Sequence, residues 1–439
     1  MQLRTHLEKP VAVEHLVFIR VGFGLLMLWE VARFLYHDWV GELWIRTSFL
    51  FKYPGFEWVQ PWSPTLLYVH WSLLGLLAFF ITIGLFYRVA TVLFLIGFTY
   101  FFLLDASYYL NHLYLACLIT VMLTLVPANR AFSIDSRLFP HIKSRDVPFW
   151  SVLLFRFQMV VVYFYGGIAK LDPDWLGLKT MPLWLAEKKD YPVIGVLYGQ
   201  PWANVFFSYG GLLFDLLVPF LLCLKRTRAY TIVVVVLFHV SNQIMFNIGI
   251  FPMLSILLSL LFLPSEMFRK AFQKLGLHSS DAQVSVPSPL KGFSLGLLSC
   301  FCVLQLLIPF RHWLYPGKVN WNEQGQFFSW RMMARDKRSN GHFIVRNPET
   351  REVMIALPQD YLHTLQAWVM GQQPDFIHQF ALFLNQAART GGFDAEVYSQ
   401  IQVSLNGRPY QYLVDPNLDL AHLPKSFFSS GKITLPLNH

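Results

Sequence analysis

The sequence predicts a multi-pass, all-α transmembrane bundle of about nine helices, followed by an extracytoplasmic α+β or mainly β domain. Three observations carry that prediction. Only 14% of the 439 residues are charged, against about 25% in a typical soluble domain. This excludes a soluble enzyme as the whole chain, and the 55% hydrophobic content excludes disorder. The apolar residues gather into nine runs that end near residue 310, and basic residues concentrate in alternate loops between them. The net charge of +9 therefore points first to orientation in a membrane, and to nucleic acid only second.

A crossing needs about 17–25 apolar residues. The nine runs are about 15–36, 64–86, 89–105, 111–127, 148–170, 202–224, 229–248, 250–264 and 292–310. The first carries Arg20, Glu30 and Arg33 and lacks a small-residue cleavage site, so it is not a signal peptide. The eighth is short, and Gly249 and Pro252 set it only weakly apart from the seventh. One set of alternate loops holds 14 Lys and Arg and the other holds 6. The first set is expected in the cytoplasm, with the N-terminus. Nine crossings then carry the tail outside, and its near balance of 12 basic and 10 acidic residues fits no nucleic-acid surface.

The chain is expected to divide into a membrane region, 1–310, and an outer domain, 311–439. The stretch 276–291, rich in Ser and Pro, reads as a mobile linker. Residues 341–360 alternate like a hairpin around Pro348, Glu349 and Thr350. Residues 362–390 have helical character with a break near Gly371–Pro374. Residues 397–414 read as a second hairpin turning at Asn406–Gly407. Cys117, Cys223, Cys300 and Cys302 lie in apolar runs without CxxC spacing, so neither a disulfide framework nor a metal site is expected.

Ionisable residues inside spans are functional candidates, because burying them is costly. Three lie in the outer half of this topology: His112 after Asn111, Lys170 at the end of the fifth run, and His239 in the seventh. Helical spacing puts His239, Asn242, Gln243 and Phe246 on one face. Gly166 and Gly167 let a helix or a flat ligand approach next to Lys170. Plainer readings stand beside these. A terminal lysine snorkels to the interface, a buried histidine ties two helices together, and Asn111 caps its helix. Asp172 and Asp174 pair with Lys170 or cap the next turn. Arg20, Glu30, Arg33, Arg156 and Asp215 are expected to form ion pairs among themselves. Trp44, Trp58, Trp62, Trp175 and Trp184 read as an interfacial belt.

The chemistry open to such a trio is specific. A lysine kept from water releases its proton more readily and can then serve as a neutral base. A nearby histidine can hold a developing phenolate. The fitting substrate is an apolar acid arriving from the bilayer, such as a hydroquinone. Walker, GxGxxG, HExxH and GxSxG motifs are absent from the sequence.

At these residues the sequence resembles the vitamin K-dependent gamma-carboxylase family, as a short, bacterial-type member. The resemblance rests on SYYLNHLYLACL with PANRAFSID, YFYGGIAKLDPDWL, GGLLFDLLVPFLL, FHVSNQIMFNIGIFPM, QLLIPFRHWLYPGKVNWNEQGQFFSWRMM and VSLNGRPYQYLVDPNLDL. It runs in order from about residue 10 to 425. It implies oxygenation of vitamin K hydroquinone by O2 to the epoxide, coupled to proton removal from a peptide glutamate and addition of CO2. It also implies that Lys170 deprotonates the hydroquinone. His112, beside Asn111, is implied to hold a quinone oxygen or the oxygenated intermediate, with His239 on the other side. Trp330, Arg331 and Met332 are implied to lie near the glutamate's entry. Compared with the animal enzymes, the far C-terminal region is short and the lumenal disulfide has no counterpart, so the resemblance does not extend to propeptide recognition.

Three functions remain open on the sequence. The first is a membrane gamma-glutamyl carboxylase that uses a menaquinol-like quinol, with a Glu-containing peptide and membrane lipids as partners. The second is a quinol epoxidase that carboxylates nothing and needs no peptide groove. The third is a transporter or lipid-binding scaffold, which neither the missing internal repeat nor the large outer domain favours.

Overall fold

All nine apolar runs are helical in the structure, a computed structural model that describes residues 2–192, 194–276, 292–424 and 433–438. They are α1 (Glu14–Tyr36), α2 (Pro64–Ile83), α3 (Tyr87–Leu104), α4 (Asn111–Leu125), α5 (Phe149–Ala169), α6 (Pro201–Cys223), α7 (Arg228–Phe246), α8 (Phe251–Leu260) and, after α9 (Ser265–Lys274), α10 (Gly292–Leu307). Apart from Gly276, the expected linker 276–291 lies outside the described residues. Seven helices are long and apolar enough to cross a membrane among the described residues, the last of them counted over Ser294–Leu314. The expected boundary at 310 therefore falls inside the last crossing.

The other two, α4 and α8, are short. Their 15 and 10 residues give about 22 and 15 Å at about 1.5 Å per residue, against about 30 Å of hydrocarbon. Both still run from the tail-domain side to the opposite side. α4 begins beside Tyr109, whose hydroxyl accepts from the Phe328 N–H of the tail, and near its end Leu123 O accepts from Tyr87 at the start of α3. α8 begins beside Gly249 and ends where Leu261 O accepts from Arg156. At Pro264 the chain bends by 106° into α9.

The side opposite the tail is closed by polar groups that satisfy helix ends. Asp135 accepts from the N–H groups of Phe86 and Tyr87 at the start of α3, two donors that no earlier turn can satisfy. Arg20, fully buried, donates to the carbonyls of Ala128 and Phe132. The expectation that the buried charges pair among themselves holds only for Glu30 and Arg33, which are joined at 2.7 Å. Arg20 and Arg156 use backbone carbonyls instead, and Asp215 pairs with Lys170. Helix ends offer free carbonyls, which a linear search for opposite charges does not detect.

Among the described residues the tail contains six short strands: β1 (Lys337–Asn340), β2 (Phe343–Arg346), β3 (Val353–Ala356), β4 (Glu396–Ser399), β5 (Gln402–Leu405) and β6 (Gln411–Tyr412). They form two antiparallel sheets, in the orders β1-β5-β6 and β3-β2-β4. The first expected hairpin is β2–β3, with Phe343 opposite Ala356. In the second, Asn406 and Gly407 are both left-handed, at φ 51° and 76°, as a tight two-residue turn requires. That turn joins β5 to β6, but β4 crosses to the other sheet and pairs with β2. The helical stretch is α11 (Thr364–Met370) and α12 (Pro374–Thr390), separated where expected. α12 buries Phe376, Ile377, Phe380, Ala381 and Leu384, the i, i+4, i+8 stripe of a helix lying on a sheet.

The tail is not a pendant domain. Phe51, Tyr53 and Ala106, all from connections between the long helices of the membrane region, belong to the same buried cluster as Trp321, Phe376 and Phe380. Full burial of a residue like Phe51 contributes about 1.5–3 kcal/mol. A polar clamp adds to this. Asp174 accepts from Arg408 at 2.6 and 2.8 Å and from Asn406 at 2.9 Å. Asp174 therefore neither caps a helix nor pairs with Lys170. Asp172 does cap, accepting from the Asp174 N–H at 2.9 Å.

Hydrogen bonds from Arg408 hold the Asp174 carboxyl well below the usual carboxylate range, against desolvation. Because the folded pKa is depressed, the clamp's stabilisation is complete above the unfolded value of about 3.9. It is lost as pH falls through the lower folded value. The difference in Tm between wild type and Asp174→Asn is thus expected to be constant from neutral pH down to about pH 4, and to shrink below that. A difference that shrinks already at neutral pH would assign the effect to another group.

Candidate active site

The shortfall of α4 and α8 lies at their tail-side ends. There a cavity of about 1120 Å³ opens between the bundle and the tail. Its walls are mainly apolar, with Phe34, Trp44, Trp71, Phe214 and Phe251 among them. The expected trio of His112, Lys170 and His239, from α4, the end of α5 and α7, lines this one cavity.

Lys170 is not an isolated amine. It follows the last turn of α5, and Nζ donates to Asp215 Oδ2 at 2.8 Å and to the carbonyls of Gly166 and Met332 at 3.3 Å each. The Trp175 ring centroid is 5.5 Å from Nζ. Lys170 and Asp215 are both buried, so the plain reading of a snorkelling lysine does not hold. Gly166 and Gly167 make this geometry possible. A Cβ at Gly166 would meet Asp215 Oδ2 at 3.4 Å, and one at Gly167 would meet the Leu216 backbone nitrogen at 3.0 Å. Of the two expected approaches, a helix or a flat ligand, the structure shows the helix: the glycines bring α6 against α5, and neither lines the cavity.

His239 Nε2 is 2.8 Å from the Tyr163 hydroxyl, which is 3.2 Å from Ser259 Oγ. Its Nδ1 has no partner among the described residues. Asn242 lines the same cavity, whereas Gln243 turns to Asn247 Oδ1 at 3.1 Å. His112 is buried in the first turn of α4 and makes no hydrogen bond among the described residues. Gly249, left-handed at φ 61°, passes so close that a Cβ there would lie 3.1 Å from His112 Nε2. Asn111 does not cap α4, since that position is Leu110. Its Oδ1 accepts from Tyr109 at 3.1 Å, which ties the start of α4 to the tail.

The tail closes the cavity with Arg331 and Met332. Arg331 donates to Asn320 Oδ1 at 2.9 Å, and the Met332 carbonyl faces Lys170. Trp330 lies outside the cavity wall, fully buried, with its ring 5.0 Å from Tyr114. Around this segment Glu323, Phe328, Trp330 and Met333 all have positive φ. Left-handed backbone costs a non-glycine residue about 1–2 kcal/mol, so this strain is held by the packing that aims Met332 at the lysine.

Several wall residues carried no distinct sequence signal. Asp215 was visible only as one more charge in a span. Tyr163 and the tail residue His363, whose Nδ1 is 3.4 Å from the Tyr108 hydroxyl, read as ordinary polar residues, as does Ser259, the hydrogen-bond neighbour of Tyr163. The tryptophan belt is a partial correction: Trp58 and Trp62 are exposed, while Trp44, Trp175 and Trp184 line the cavity.

The cavity also reaches the outer surface of the bundle between α6 and α7. Leu213, Leu217, Val234 and Leu237 line it and are about half exposed on the helix exteriors. Gly210 and Gly211 leave open space there, since a Cβ at either would meet nothing within 4 Å.

A bundle of membrane-length helices enclosing a buried Lys–Asp pair and two histidines defines an integral membrane protein with a largely apolar internal cavity. Residues 8–266 match the family model described as the HTTM domain, a membrane domain. Residues 290–439 match the model described as the vitamin K-dependent gamma-carboxylase, lumenal domain. The chain belongs to the vitamin K-dependent gamma-carboxylase family. No solved structure matches it.

Proposed function

We propose that this chain is a vitamin K hydroquinone-dependent peptidyl-glutamate 4-carboxylase, a lyase with quinol epoxidase activity that consumes O2 and CO2. The supporting observation is the convergence of Lys170, His112 and His239 on one largely apolar cavity with a lipid-facing gap and Arg331 and Met332 of the tail in its lining. A reduced naphthoquinone fits this site: the walls are aromatic, and His112 and His239 Nδ1 lack partners among the described residues. When bound, the hydroquinone supplies, through its oxygenation to the epoxide, a base strong enough to remove the γ proton of a glutamate, to which CO2 then adds.

The chain's own residues move and hold protons. Lys170 Nζ passes a proton to Asp215 Oδ2, 2.8 Å away, and takes the phenolic proton in its place. The pair as a unit gains one proton and a single positive charge, which the deprotonated quinol oxygen beside Lys170 balances, so no unpaired charge is left in the membrane. His112 and His239 hold the two quinone oxygens, with Tyr163 fixing the His239 ring through Nε2. Asn111 and Asn242 add polar contacts at the rim. Arg331 meets the glutamate carboxylate of an incoming peptide, beside Met332, and Trp330 supports the turn that presents them. The apolar walls keep water from a base that water would quench. The N-terminus is cytoplasmic and the tail extracytoplasmic, in a bacterial inner membrane or the endoplasmic reticulum.

The assay supplies purified protein with reduced vitamin K, O2 and labelled bicarbonate, with and without a Glu-containing peptide. Epoxide together with label in the peptide is the expected result. Epoxide without label would instead support the epoxidase that carboxylates nothing. Neither product from folded, quinol-binding protein would end both readings and leave the binding scaffold.

A further inference from the structure

On the face opposite the tail, a second cavity of about 560 Å³ lies where α5, α7 and the α8–α9 bend meet. Arg156, Arg228 and Lys225 line it, with His15 and a single carboxylate, Glu266, among its lining residues. Arg156 lies between Phe149 and Phe262, whose ring centroids are 5.8 and 5.6 Å from Cζ. Its Nε donates to Leu261 O at 2.9 Å. Its two Nη atoms have no acceptor among the described residues. Arg228 donates from Nε and Nη2 to the carbonyls of Leu222 and Cys223 at 2.8 and 3.0 Å, which leaves Nη1. Neither arginine, nor Lys225, has an ion-pair partner among the described residues.

A half-buried guanidinium without a counter-ion is unfavourable, and its forked donors match a phosphate. The surroundings say where that phosphate comes from. Phe149, Val152 and Met267 give the same cavity an apolar wall. α9, turned by 106° across the bundle, buries Phe268 against His15 and Phe18, and carries Arg269, Lys270 and Lys274. A short basic amphipathic helix at the end of a bundle is the geometry of a membrane interface rich in anionic lipid.

We propose that this cavity holds the phosphate of an anionic phospholipid headgroup. Arg156, Arg228 and Lys225 grip the phosphate, and an acyl chain lies along Phe149, Val152 and Met267. The site is separate from the catalytic cavity and does not rest on the carboxylase reading.

Native mass spectrometry of the full-length protein, titrated in turn with phosphatidylglycerol, phosphatidylcholine and inorganic phosphate, tests it. One phosphatidylglycerol is expected to bind at least about tenfold more tightly than phosphatidylcholine, because the three cations share the lining with a single carboxylate and none is ion-paired among the described residues. Arg156→Gln and Lys225→Gln should each weaken it by about fivefold. Lys225 is exposed in a loop, so that variant remains readable if Arg156→Gln does not fold. Equal binding of the two lipids, or unchanged phosphatidylglycerol binding in the folded variants, overturns the proposal. Displacement of the lipid by equimolar inorganic phosphate makes this a free-anion site and overturns the lipid assignment.

Discussion

Lys170→Ala is expected to abolish formation of vitamin K epoxide, with a loss of at least about 10²–10⁴-fold, the usual contribution of a positioned base. Lys170→Arg is the sharper test. A guanidinium retains the charge opposite Asp215 and so retains the buried pair, but it cannot be deprotonated at accessible pH. Lys170→Arg should therefore fold and bind quinol while producing no epoxide. Epoxide formation at the wild-type rate in either variant removes Lys170 from the base role. His112→Ala and His239→Ala should lower the rate as well, with Lys170 and its partners undisturbed.

Asp215→Leu is expected to give the largest loss of stability. Removing one partner of a buried ion pair leaves the other charge without compensation, at a cost of about 3–5 kcal/mol. The double change Lys170→Met, Asp215→Leu should recover most of that loss, since two apolar side chains of similar size need no pairing. Thermal unfolding of the wild type, both single variants and the double variant provides the comparison. If Asp215→Leu unfolds at the wild-type temperature, the 2.8 Å contact makes no net contribution to stability.

The helices were legible because a membrane demands long apolar runs. α1, predicted over 15–36, is Glu14–Tyr36, and even the short α4 and α8 were found. Lys170, His112 and His239 were legible for the complementary reason, as costly residues in an apolar setting. Their partners were not. Asp215 is 45 residues from Lys170, and only the close approach of α6 at Gly166 and Gly167 brings the two together. Trp175 and Trp184 looked like interfacial anchors because composition gives depth but not direction. Alternation along 397–414 puts β4 in one hairpin with β6, whereas β4 pairs with β2, because alternation marks a strand but not the sheet it joins. α9 is too short and polar to register as a crossing, and its place follows from the bend at Pro264.

The gap between α6 and α7 at Gly210 and Gly211 has a kinetic consequence. A ligand that enters sideways is drawn from a two-dimensional reservoir, so its effective dose is its mole fraction in the lipid and not its amount per litre. Adding ligand-free vesicles or detergent micelles at constant total ligand would then slow turnover by surface dilution. Apparent affinities measured in different micelles become comparable only after scaling to moles of amphiphile.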